Sequence, residues 1–128
     1  MVAGVYPNLR FDRTTTKLTD TSKTTVLTVG GGRLTGFNRV NLLGISVTDS
    51  TGSVATDASI FFTDGSDSDT EYTLINSGSV EADFPFQWIF SPAIPLFKDD
   101  TVKVTGGNGH HVLCVVQIPF DAGKDGAE

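Results

Sequence analysis

Residues 101–119 read TVKVTGGNGHHVLCVVQIP, and the way this stretch buries its apolar side chains decides what the chain builds. Val102 and Val104 alternate with Thr101, Lys103 and Thr105, the period-two pattern of a half-buried strand. Gly106-Gly107-Asn108-Gly109 follows, and glycine and asparagine reach positive φ at little cost, as a hairpin turn requires. The returning segment, residues 112–118, is apolar everywhere except Gln117. A two- or four-residue turn puts Val102 and Val104 on one face with Leu113 and Val115. Val112, Cys114, Val116 and Ile118 then point the other way, and a three-residue turn would exchange the two faces. A strand apolar on both faces needs two covers. One is the second sheet of the same domain; the other is an arm of the chain or a neighbouring subunit. Closed symmetry repeats such a cover on every copy, so Val112, Cys114 and Val116 are expected to form a subunit interface.

Working outward, the composition agrees with an all-β chain. Seventeen threonines, ten serines and 14 glycines stand against five lysines and three glutamates among 128 residues. Threonine is β-branched and suits strands, while glycine and serine punctuate turns. Residues 24–29 (TTVLTV) form a first strand, broken by Gly30-Gly31-Gly32, which reads as a flexible connection. Residues 39–48 (RVNLLGISVT) form a second, apolar on both faces, with Gly44 predicting a bulge or a close backbone approach. A third runs through residues 54–63, with Ala58, Ile60 and Phe62 on one face and Phe61 on the other; a fourth, residues 72–75, closes a hairpin. Residues 76–83 read as a polar connection. Phe84, Phe86, Trp88 and Phe90 then share one face at spacing two, which reads as core because each aromatic can bury ~150–250 Å². Pro92 and Pro95 keep the following segment out of any central strand. Short strands at roughly ten-residue spacing describe an antiparallel β-sandwich or jelly roll.

Around this sandwich, expected over residues 21–120, lie two segments of different character. Residues 1–20 carry a proline, scattered charges and the isolated anchors Tyr6, Leu9 and Phe11, which suggests an extended N-terminal arm that docks on a partner. Residues 121–128 (DAGKDGAE) read as a polar, disordered tail.

The chemistry-bearing residues point away from catalysis. His110 and His111 are adjacent, so on a strand they face opposite ways and do not chelate one metal. The acidic stretch Asp64-Gly65-Ser66-Asp67-Ser68-Asp69-Thr70-Glu71 resembles a calcium loop, but its glycine is second rather than sixth and its twelfth position is Ile75. It reads as a solvated turn. Cys114 among valines reads as a small buried hydrophobe, and a lone cysteine forms no disulfide within the chain. A net charge of −6 argues against a phosphate backbone as partner. No run reaches the ~18 apolar residues of a membrane span, and the first ten residues lack the pattern of a signal peptide. The expectation is a soluble, intracellularly made protein with no catalytic, cofactor or metal site, no nucleic acid and no membrane.

A resemblance adds to this. Its elements, in chain order, are the strand Thr24-Thr25-Val26-Leu27-Thr28 and residues 40–49 (VNLLGISVTD) with the turn Ser50-Thr51-Gly52-Ser53. Residues 60–65 (IFFTDG) and 94–106 (IPLFKDDTVKVTG) follow, then the valine-rich final strand. Over residues 24–118 this order resembles the small β-sandwich virion proteins of tailed bacteriophages, of the capsid decoration (cement) type. The resemblance implies a non-enzymatic structural protein, homotrimeric, made in the host cytoplasm and bound in the virion to the major capsid protein or another virion protein. The alternative from a different class is a carbohydrate-binding module, or a tail-fibre or tail-attachment domain. Exposed Trp88 and Tyr72 rings would favour sugar binding; buried rings would favour the structural role.

Overall fold

A computed structural model describes residues 10–49, 56–67, 70–80 and 86–119. Its eight strands are β1 (Arg10–Lys17), β2 (Thr24–Thr28), β3 (Arg39–Asp49), β4 (Thr56–Asp64), β5 (Thr70–Val80), β6 (Phe86–Phe97), β7 (Thr101–Thr105) and β8 (His110–Ile118). They form two four-stranded antiparallel sheets, ordered β1-β8-β3-β6 and β2-β7-β4-β5, here called sheet A and sheet B. The all-β sandwich expected from composition and spacing is the fold, and β4 and β5 pair as the expected hairpin.

The stretch 101–119 is not a hairpin. β7 pairs with β2 and β4 in sheet B, whereas β8 pairs with β1 and β3 in sheet A. Residues 106–109 arch over the end of the sandwich between the two sheets. The Gly109 N–H donates to the Leu18 carbonyl (2.7 Å), and the Leu18 N–H donates to the His110 carbonyl (2.8 Å). The Gly107 N–H donates to His110 Nδ1 (3.0 Å), and Gly109 holds φ +92°, the left-handed region open to glycine. An arch turns the two strands so that one face of each looks at the other across the interior. Val102 and Val104 therefore meet Val112, Cys114, Val116 and Ile118 in a single core, each of these side chains being buried. This corrects the expected subunit interface: Val112, Cys114 and Val116 are interior, and Leu113 and Val115 take the outside. The apolar doubling of β8 was real, but its two faces are exchanged.

Bulges set the remaining alternation. β3 shifts register between Leu42 and Gly44 against both its neighbours, so Leu42, Ile45 and Val47 all point inward. Gly44 permits this, since a Cβ there would stand 2.9 Å from the Trp88 carbonyl oxygen. In β4, Ala58 and Ile60 are buried and Phe62 packs against the core, as the alternation predicts.

Three segments differ from the sequence reading. Residues 10–17 are not an arm but an edge strand paired along its length with β8, from Arg10 opposite Ile118 to Lys17 opposite His111, and Leu18 is wholly buried. Three consecutive β-branched threonines make this a strand, and the Thr14 hydroxyl donates to the Val26 carbonyl of sheet B (3.0 Å). Residues 10–18 are thus part of the sandwich. Residues 32–34 form one 3-10 turn that plugs the core with Leu34 rather than a loose connection. β5 continues to Val80 through the supposed polar connection, passing Ser77 at φ +58°. The expected tail, residues 121–128, lies outside the described residues.

Candidate interaction face

Cross-strand partners share a face, so the register fixes which side chains look outward from sheet A. On β1 they are Phe11, Arg13, Thr15 and Lys17; on β8, His111, Leu113, Val115 and Gln117. Opposite them on β3 lie Asn41, Ser46 and Thr48, and on β6 Gln87, Ile89, Pro95 and Phe97. Among the described residues, three of the five large apolar side chains that stand exposed occupy this face: Ile89 (79%), Phe11 (60%) and Phe97 (54%). Leu113 and Val115 lie half-buried between them. Ile89, Leu113 and Val115 border a shallow depression of about 160 Å³ that opens above Gly44. A second hollow, about 400 Å³, adjoins it and is lined by Thr15, Lys17, Ser46, Thr48, His111 and Leu113.

The charges of this face are one-sided. Arg13 and Lys17 are exposed, Arg39 stands at its far end, and no outward position of sheet A among the described residues carries a carboxylate. Asp12, the one acid in β1, is on the inward register and is held by Arg33 (Nε to Oδ1, 2.8 Å). That hydrogen bond, together with the Arg13 N–H, holds the Asp12 carboxyl below the usual carboxylate range.

The other expected site residues divide. Tyr6 and Leu9 lie outside the described residues; Phe11 is exposed, on β1 rather than on an arm. Phe84 is likewise outside the described residues, while Phe86 and Phe90 pack against the core. Trp88 is not core. β6 is the edge of sheet A, and the Trp88 ring, tilted against Phe90 at 6.4 Å, stands 46% exposed. Tyr72, on the edge strand of sheet B, is 48% exposed and stacks on Phe62.

The polar candidates are occupied by structure. Asp64 Oδ1 accepts from the Ser66 N–H (2.9 Å) and hydroxyl (2.8 Å), a local turn. His110 is buried and His111 exposed, as adjacent positions on a strand require. Among the described residues no group of three or more His, Cys, Asp or Glu side chains is placed to hold a metal. Burial pushes the Cys114 thiol up to about 11. Ile89, Phe97, Arg13 and Lys17 escaped the sequence reading, because a face is assembled from four strands and only β8 announced it.

No protein-family model and no curated protein sequence matches the chain. Ten solved chains match in structure, among them the nucleoplasmin-like N-terminal domain of Drosophila FKBP39. That likeness has a TM-score of 0.50 at 11% identity and covers 87% of this chain and 89% of the other. It shows a nucleoplasmin-like β-sandwich fold.

Proposed function

We propose that the chain is a non-enzymatic virion structural protein, a capsid decoration (cement) protein that self-associates, as a homotrimer, and binds the outer surface of a phage head. The observation that carries this reading is the outer face of sheet A, where Phe11, Ile89 and Phe97 stand in solvent around Leu113 and Val115. Apolar side chains grouped on one face mark an association surface, since each valine- or leucine-sized group left wet forgoes about 1.5–3 kcal/mol. The strand order over residues 24–118 adds its resemblance to phage virion proteins. Co-sedimentation with purified particles tests the reading: the protein should be retained at a fixed copy number. A chain made during infection yet absent from particles would sink it.

A second reading, a carbohydrate-binding module, is supported by one observation. Trp88 and Tyr72 are both about half exposed, and sugars stack on such rings. The two rings sit on edge strands of different sheets, so Trp88 is the platform to test. Trp88→Ala should abolish oligosaccharide binding measured by titration calorimetry; unchanged binding, or none in the parent, counts against this reading.

A further inference from the structure

We infer that the 400 Å³ hollow on the outer face of sheet A receives a carboxylate-bearing side chain from an acidic loop of a partner protein. The inference names the partner chemistry of the attachment reading above and rests on that reading.

The argument begins with what surrounds the hollow. Thr15, Ser46, Thr48 and Leu113 line it, side chains that carry hydroxyls and apolar carbon. Lys17 and His111, cross-strand partners of one another, also line it, and Arg13 lies four residues from Lys17 on the same edge strand. Arg13 and Lys17 are exposed, and no carboxylate among the described residues pairs with either. A largely apolar hollow with a lysine in its lining suits a side chain that has a short apolar stem and an anionic end. Glutamate and aspartate have that form.

Charge also decides against the simplest competitor. If two copies met through this face about a two-fold axis, both would contribute Arg13 and Lys17 and neither a carboxylate. Like charges brought together and desolvated disfavour such a contact. A partner surface with carboxylates at its rim and apolar groups at its centre complements the face instead. The apolar centre, Ile89 with Leu113 and Val115, lies next to the hollow, so one loop can engage both.

The experiment is an amide-shift titration of the full chain with poly-L-glutamate, with a neutral oligosaccharide as the parallel arm. Shifts are expected at Thr15, Lys17, Ser46, Thr48, His111 and Leu113. The apparent affinity should fall about tenfold or more from about 20 to about 200 mM salt, because exposed charges are screened over that range. Arg13→Glu combined with Lys17→Glu should remove the response while keeping a dispersed spectrum, and Lys17→Arg should keep it. No response to poly-L-glutamate, or shifts confined to other strands, overturns the inference. So does a response at these residues to the neutral sugar that survives charge reversal, which would hand the hollow to the carbohydrate reading. Particle co-sedimentation is scored separately: retention on particles with no poly-L-glutamate response sinks the carboxylate inference and leaves the attachment reading standing. The converse result sinks that reading alone.

Discussion

The two sheets of this sandwich present outer faces of opposite character. Sheet B shows Thr25, Ser59, Thr73, Thr101 and Thr105, and it interleaves Lys103 with Asp57 and Glu71. The outward ring of Phe61 lies half-buried under the Lys23 ammonium at 3.9 Å, and Lys23 also pairs with Glu71 at 2.5 Å. Sheet A shows aliphatic and aromatic groups beside Arg13 and Lys17, and none of its outward positions among the described residues carries an acid. Both faces are built on alternating strands over the same core, so the difference is not one of folding. Threonine-rich, charge-balanced β surface is stable in water by itself. A surface such as that of sheet A, with large apolar side chains grouped in solvent, is what the proposed association would cover.

The largest effect should separate the inside of β8 from its outside. Val112→Lys with Val116→Lys places two charges in the core and should unfold the protein, at a cost above about 4 kcal/mol. Leu113→Lys with Val115→Lys should leave the circular dichroism β-rich and the melting temperature close to the parent's. If the first pair folds and the second does not, the face assignment is reversed.

A smaller effect is expected at Gly44, where the β6 backbone leaves no room for a side chain on β3. Gly44→Val must displace the Trp88 carbonyl and should destabilise by about 1–3 kcal/mol in denaturant titration. A neutral outcome would mean that β6 does not depend on this contact, and that the depression beside Ile89 can change shape.

Cys114 gives a readout of the same inside-outside contrast without altering the core. Burial raises its pKa to about 11, so at pH 8 it is a covered thiol and should resist a thiol reagent until the protein unfolds. Leu113→Cys, one residue away on the outer face, should react at once. Prompt labelling of Cys114 in the parent would show that the interior opens.

The smallest effect belongs to the rim. The Asp12 carboxyl is lowered first by the Arg33 hydrogen bond, so its stabilisation is present above the unfolded value near ~3.9 and is lost as pH falls through the folded value. Asp12→Asn should therefore cost a fraction of a kcal/mol at pH 7, as exposed pairs do, and almost nothing in strong acid. A cost that grows on acidification would contradict the sign of this linkage.

Local pattern was enough to settle much of the molecule. The excess of threonine and glycine over lysine and glutamate determined an all-β chain, the 54–63 alternation determined which side of β4 is core, and Gly44 announced its bulge. The apolar doubling of residues 112–118 announced that β8 has a buried and an outward apolar face. Which face is which was not legible, because it depends on whether four residues make a hairpin within one sheet or an arch between two. Both connections use the same glycines. They differ in the backbone partner that waits at Leu18, some ninety residues away. The same holds for the candidate face. Arg13, Lys17, Ile89, Phe97 and Leu113 are unremarkable singly, and only the order β1-β8-β3-β6 sets them side by side. Pairing between strands distant in sequence is a property of the closed sandwich, since local periodicity fixes a side chain's face but not its neighbours.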